Sequence, residues 1–315
     1  MKKLLILIWL LGIVSASAQE RDLPQYINHM SDNPFLTSVS YAGIGSGLQI
    51  RLNGVSQWIG VEDAPNTQSL TVEARLADRF GGGLTIFNDS NGATTQQGVK
   101  LSFASHLTLS DLHDSFLSFG LTYSFIQFGI NTENFIGADL ENLAHRAVNY
   151  SNFDLSMLYR FERFAISANI INLLTKEAYD PLSQEPEVLR KFSVYTLYTF
   201  KLNRETELEP SAFVEYFEAS GRSRTDLNVK VRRRIREGYI WGGMSYTFLN
   251  DQFGEPNAIS PMVGIKKNNF YLSYGFSVTP NRTLDFNSGT HMITLGLDYD
   301  RRPSLARCTQ KMMIF

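Results

Sequence analysis

Absences bound this chain before any motif does. It has a single cysteine, Cys308, so no disulfide can form within it. Its five histidines, His29, His106, His113, His145 and His291, are scattered, with no His-x-x-x-His or Cys-x-x-Cys spacing, so no metal site is expected. There is no Gly-x-Ser-x-Gly elbow. Gly81-Gly82-Gly83 is followed by alternating residues rather than by Lys-Ser/Thr and a helix, which excludes a phosphate loop. Asp154, Glu207, Glu209 and Glu215 could supply carboxylates to a reaction, but nothing in their spacing brings them to a histidine. Lysine and arginine number 29 against 31 acidic residues, a balance that gives no general attraction to nucleic acid. The expectation is a non-enzymatic protein without cofactor or nucleic-acid partner. Beyond residue 18, no apolar run is long enough to cross a bilayer as a helix.

What is present begins with an export signal. Lys2 and Lys3 form a positive start, Leu4 to Val14 an apolar stretch, and Ala16-Ser17-Ala18 a small-residue cleavage site before Gln19. The apolar stretch is shorter than the ~20 residues that a spanning helix needs. No cysteine follows the cleavage site, so lipoprotein processing is not expected. Residues 1–18 are read as a signal peptide and 19–46 as a periplasmic N-terminal segment, rich in Pro, Asn and Ser.

From residue 47 onward the dominant period is two. Phe270, Leu272, Tyr274, Phe276 and Val278 alternate with Tyr271, Ser273, Gly275, Ser277 and Thr279; Leu117, Phe119, Leu121, Tyr123 and Phe125 alternate with Ser118, Gly120, Thr122 and Ser124. About fourteen such segments lie between residues 47 and 300, many of the 9–11 residues that a tilted strand needs to cross a membrane. Their connections sort by parity. Those after even strands are short, around Ala77-Asp78, Ser110 to Asp114, Glu162-Arg163, Leu202 to Glu205, Arg236 to Gly238 and Lys267 to Asn269. Those after odd strands are longer: Val55 to Asn66, Asp89 to Thr95, Gly129 to Ser151, Leu173 to Arg190, Leu249 to Pro256 and Pro280 to Gly289, with Ala219 to Arg224 the brief exception. An even count with short turns at one end and long loops at the other is the pattern of a transmembrane, outer-membrane antiparallel β-barrel, whose apolar faces meet lipid. A soluble β-sandwich has no reason to sort its loops. The lumen would then be lined by the polar faces, among them Gln49, Arg51, Asn53, Lys100, Ser102, His106 and Asn228. Residues 19–46 would either plug that lumen or reach into the periplasm. Residues 301–315, with Arg301, Arg302, Arg307 and Lys311, would form a periplasmic C-terminal tail.

The strongest local charge feature is Lys230 to Arg236. Lys230, Arg232 and Arg234 share one face and form a basic lumen-lining stripe. Glu207, Glu209 and Glu215 on the preceding strand can balance it, which weighs against the alternative of an anion-selective pore. Trp58, Trp241 and many Tyr and Phe residues suit aromatic girdles at the bilayer interfaces.

A series of short motifs carries a family resemblance. Pro24-Gln25-Tyr26 is followed by Asn33-Pro34-Phe35-Leu36, Ser40-Tyr41-Ala42-Gly43, Ser56-Gln57-Trp58-Ile59-Gly60 and Ala64-Pro65-Asn66-Thr67-Gln68. Later come Gly83-Leu84 with Asn88-Asp89, Glu209-Pro210-Ser211, Asp226-Leu227-Asn228, Trp241-Gly242-Gly243-Met244-Ser245-Tyr246 and Asn287-Ser288-Gly289-Thr290-His291. The chain resembles the PorP/SprF family of the type IX secretion and gliding-motility system over nearly all of its mature length. Two departures stand out. Thr37-Ser38-Val39-Ser40 precedes Tyr41 where the family has a sequence closer to Leu-Asn-Pro-Ala, and Met292 follows His291 where a glutamate is common. The resemblance implies a cell outer-membrane barrel that associates with type IX secretion components in the outer membrane and periplasm. It also implies a role in exporting or holding a secreted adhesin through its C-terminal sorting domain. Outer-membrane lipid is the other partner, and a porin-like channel for small solutes is the alternative. Candidate partner-binding residues are Asn33, Pro34, Tyr41, Gly43, Gln57, Trp58, Gly60, Pro65 and Thr67. Gln57-Trp58 could equally cap the barrel rim.

Overall fold

The computed structural model describes residues 32–45, 47–61, 63–130, 146–174, 189–252, 256–280 and 288–300. Expectations for the leader, for residues 19–31 and for the tail at 301–315 lie outside these. Fourteen antiparallel strands follow one another in chain order: β1 Gly47–Ser56, β2 Asn66–Ala77, β3 Phe80–Asn91, β4 Thr94–Ser110, β5 Ser115–Ile130, β6 Arg146–Phe161 and β7 Phe164–Ile171. They continue as β8 Lys191–Tyr198, resuming at Phe200–Lys201, then β9 Thr206–Phe217, β10 Arg222–Ile235, β11 Gly238–Leu249, β12 Ala258–Lys267, β13 Phe270–Ser277 and β14 Thr290–Asp300. Each strand pairs with its neighbours in sequence. β14 then returns to β1 in an unbroken register from Gly47↔Asp300 to Ser56↔His291, which closes the ring. Closure leaves no edge, so the described strands pair on both sides where lipid offers no partner, apart from one break in β8.

The interruption of β8 has a local cause. Leu197 faces Ser211 and Phe200 faces Leu208, so one register runs through the break and sets Tyr198 opposite Pro210. Proline has no N–H to give, and the ladder lapses there.

The two faces differ as the alternation requires. On β5, Phe119, Leu121, Tyr123 and Phe125 point outward and are exposed, while Ser118, Thr122 and Ser124 between them are buried inside. β4 to β6 run for 16 or 17 residues, more than a bilayer needs. Even tilted, 16 residues rise about 40 Å against a hydrocarbon core of ~30 Å. The outward residues mark where lipid ends. Gln97, Gln127 and Asn149 lie side by side across β4, β5 and β6, directly above the apolar residues Val99 and Phe125. Beyond that polar ladder the wall projects outward, and Phe87, Ile126, Phe128 and Tyr150 close its inner face.

Two boundaries differ from the sequence reading. The connection between β3 and β4, expected to be long over Asp89 to Thr95, is a two-residue turn at Gly92-Ala93, because the ladder of β3 and β4 runs on through Asn91↔Thr94. β6 begins at Arg146 rather than near Asn152, and the expected long loop is shortened by that amount.

Leu121 sits mid-strand on the lipid face, opposite Phe103 and Leu155. Leu121→Arg should lower the unfolding free energy in lipid vesicles by about 2–4 kcal/mol, against under ~1.5 kcal/mol for Leu121→Met. Urea titration compares the two, and equal effects would contradict an outward β5.

Candidate functional site

The first described residues lie inside the ring. Residues 32–45 touch the inward faces of β2 to β7 and of β10 and β11, which only a segment within the lumen can do. The segment starts at Asp32, makes one helical turn at Pro34–Thr37 and a 3-10 turn at Val39–Tyr41, and leaves through Gly43 towards β1. A periplasmic location for all of 19–46 therefore does not hold: 32–45 fill the lumen as a plug. Its contacts lie in the half of the barrel nearer the short turns, the end that faces the periplasm in barrels of this class.

The plug is held on two sides. On one wall, Asp32 Oδ1 accepts from Lys230 Nζ and from Arg232 Nη2 (3.1 Å), and its Oδ2 accepts from the Tyr239 hydroxyl at 3.0 Å. Burial pushes the Asp32 carboxyl up, but the charges of Lys230 and Arg232 and the hydrogen bonds from Lys230 and Tyr239 outweigh it. The carboxyl is held well below the usual carboxylate range. Arg232 also meets Glu207 at 3.3 Å and Glu209 at 3.7 Å, and Lys230 lies 4.5 Å over the ring of Trp241.

On the opposite wall the plug meets glycines. A Cβ on Gly81 would stand 1.9 Å from the Ala42 carbonyl oxygen, one on Gly83 2.3 Å from the Phe35 ring, and one on Gly120 2.4 Å from Val39. Any other residue at these three positions would collide with the seated segment. Gly43, at φ +72°, donates its N–H to Glu73 at 3.1 Å. The Ser40 N–H donates to Ser156 Oγ at 2.9 Å. His106 Nε2 donates to the Ala42 carbonyl at 2.9 Å, which fixes the proton on that nitrogen because a carbonyl only accepts. Phe35, Ala42 and Ala104 pack together, as do Tyr41, Ile44, Leu158 and Ala165.

The residues singled out from the sequence fall into separate places. Asn33, Tyr41 and Gly43 are spent inside the barrel: Asn33 Nδ2 donates to Thr71 Oγ1 at 3.3 Å, and Pro34 opens the helical turn. Gln57, Trp58, Gly60, Pro65 and Thr67 lie at the other, long-loop end. The motif series therefore does not form one surface. Pro65 is buried and its carbonyl takes the Gln57 N–H at 2.9 Å, while Thr67 bonds to Asp89. Trp58, with Ile59 and Val61, is exposed at the tip. Of the basic stripe, Lys230 and Arg232 face inward and are buried, with Asp32, Glu207 and Glu209 around them. Arg234 is exposed at the short-turn rim. Trp241, expected in an interfacial girdle, faces the lumen instead, where its Nε1 donates to the Tyr271 hydroxyl at 3.2 Å.

Elsewhere the lumen shows the same pairing of opposite charges. Arg51 binds Asp298, which Lys266 also reaches, Lys100 lies 3.4 Å from Asp154, and Arg224 lies 3.4 Å from Glu215. These carboxylates are thus committed to cations rather than to a histidine. Asp32, Glu73 and the glycine cradle escaped the sequence reading, and His106 was read only as a lumen-lining residue, since each acts through a contact at long separation.

Residues 18–297 match the family described as the type IX secretion system membrane protein PorP/SprF. The chain belongs to the PorP/SprF family. No curated protein matches it in sequence. Among solved structures, this PorP/SprF barrel is similar to the CymD monoaromatic hydrocarbon channel, with 11% identity over 89% of this chain and 94% of the other and a TM-score of 0.51. It is also similar to a TodX monoaromatic hydrocarbon channel deletion mutant, with 8% identity, coverage of 85% and 94%, and a TM-score of 0.54. At such identities the likeness concerns the fold. Family and fold together place this PorP/SprF protein in the outer membrane.

Gly83→Val should collide with Phe35, destabilise the seated plug by about 1–3 kcal/mol and expose Phe35 and Tyr41 to chymotrypsin in the folded barrel. Acid should act differently. A carboxyl with a lowered pKa stabilises fully above its unfolded value of ~3.9 and loses that contribution only as pH falls through the lower native value. The contribution of Asp32, read as the difference in protection of Phe35 and Tyr41 between the parent and Asp32→Asn, should therefore stay constant from about pH 8 to pH 5.

Proposed function

We propose that this PorP/SprF protein is a non-enzymatic helper of type IX secretion. It assists export or surface anchoring of a secreted adhesin by binding the adhesin's C-terminal sorting domain, the secretion machinery, or both. The observation that carries this reading is the plug. A lumen occupied by the chain's own residues 32–45, with Arg51, Lys100, Arg224, Lys230 and Arg232 each paired to a carboxylate, suits an adaptor better than a steady solute pore.

The outward loop at 57–65 supports a binding role. It is pinned to its neighbours: the Gly92 N–H donates to the Asp63 carbonyl at 3.0 Å and the Ser288 N–H to the Ile59 carbonyl at 3.3 Å. On this fixed base Trp58 is 45% exposed and holds φ +47°, a conformation that bulky residues rarely adopt. Strain of this kind is retained where the side chain has a task, and an exposed Trp beside Ile59 and Val61 is the composition of an interface anchor.

Two measurements test the proposal. Deleting the gene should abolish surface display of a type IX adhesin, and unchanged display of every such substrate would refute it. In pull-downs with the adhesin's C-terminal domain, Trp58→Ala should weaken binding by about 2 kcal/mol, roughly 30-fold in Kd, with the barrel intact. In planar bilayers the purified protein should be silent; a steady open conductance would favour the solute channel.

A further inference from the structure

The cluster around Asp32 is built as a receptor. Both oxygens of one carboxylate are bound: Lys230 and Arg232 converge on Oδ1, and the Tyr239 hydroxyl donates to Oδ2. All three donors belong to the wall of the barrel, on β10 and β11, while the carboxylate arrives on the plug. The donors are themselves held in place. Lys230 lies over Trp241, Arg232 lies 5.2 Å from the Tyr239 ring centre, and Glu207 holds the other arm of the Arg232 guanidinium. They would thus keep their arrangement when the carboxylate leaves.

The charge balance points the same way. With Asp32 seated, two cations face Asp32, Glu207 and Glu209; without it, two cations face two acids. Removing Asp32 therefore does not strand a pair of bare buried charges, the situation that makes most buried ion pairs costly to break. The cluster can be emptied and refilled. It also sits near the short-turn mouth, where the turns on its own side expose Arg204, Arg234, Arg236 and Lys267 against Glu205 and Glu237, while those across the mouth expose Asp78, Asp111 and Glu162 with Arg79 and Arg163. An acidic segment would be drawn to the basic side of the mouth.

We infer that Lys230, Arg232 and Tyr239 form a carboxylate-binding site in the lumen, which Asp32 occupies while the plug is seated and for which an acidic peptide segment of a partner, entering from the short-turn end, competes. The inference rests on the adaptor reading and gives it a partner chemistry. It is tested on purified protein, so its failure is separable from a failure of adhesin display.

Hexaglutamate is the probe, added to the full mature chain in detergent. Trp58→Phe leaves Trp241, beside Lys230, as the reporting tryptophan. A tethered competitor acts at an effective concentration of roughly millimolar, so Asp32→Asn should bind hexaglutamate at least about tenfold more tightly than the parent. Asp32→Glu, which keeps a carboxylate, should behave like the parent. Adding Lys230→Gln to Asp32→Asn should abolish the gain, and hexalysine should not bind. Equal affinity in the parent and Asp32→Asn would overturn the site, as would a gain that survives Lys230→Gln, which would place binding on the exposed rim. Should Asp32→Asn fail to assemble, the Asp32-bearing chain still decides. Saturating hexaglutamate must expose Phe35 and Tyr41 to chymotrypsin, and unchanged protection would refute competition.

Discussion

Closure of the sheet is the constraint on which the rest depends. In lipid no backbone N–H or carbonyl can be left over, so β14 must return to β1 and each of the fourteen strands must alternate faces. The outward faces are apolar by necessity, and the polar faces are turned into a narrow interior. That interior is not an apolar core. Its charges lie close together, and they offset the cost of burial by pairing: Arg51 with Asp298, Lys100 with Asp154, Arg224 with Glu215, and Lys230 and Arg232 with Asp32.

The plug arises from the same constraint. A lumen lined by hydroxyls, amides and charges needs polar partners, and residues 32–45 supply backbone groups and one carboxylate. The glycines at 81, 83 and 120 give the room. They form a trough on the wall opposite the Lys230–Arg232 cluster, so the segment is wedged sterically on one side and clamped electrostatically on the other. Either hold alone would allow pivoting; the pair fixes both position and orientation.

This division explains what could be read from the sequence. Period-two alternation and turn residues are local, and fourteen strands, the parity of their loops and the inward placement of Lys230 and Arg232 were legible from them. The β3–β4 loop was misjudged because Asp89, Ser90 and Asn91 look like loop residues, while the ladder carries them outward past the lipid. The plug was not legible as a plug. It is too short and irregular to show a period, and its contacts span long separations, as between Asp32 and Lys230. Gly81-Gly82-Gly83 read only as glycines ahead of an alternating stretch rather than a phosphate loop; their reason lies in Ala42 and Phe35, 39 residues before Gly81 and 48 before Gly83. Asn33, Tyr41 and Gly43 stood out as a motif that a partner could meet, yet the partner they meet is the barrel itself.

The two ends of the molecule are consequently unlike in kind. At the long-loop end the 57–65 loop is tied down by Gly92 and Ser288, and its apolar tip stays presented whatever happens inside. At the short-turn end the closing element is a segment of chain that enters at Asp32 and leaves at Gly43, held by contacts that can be broken without unpairing a single strand. A pinned outer surface and a separable inner segment are thus joined through a wall that cannot open. β1, which continues directly from the plug and is hydrogen-bonded along its whole length to β14 and β2, keeps the segment attached to the barrel even when it is unseated.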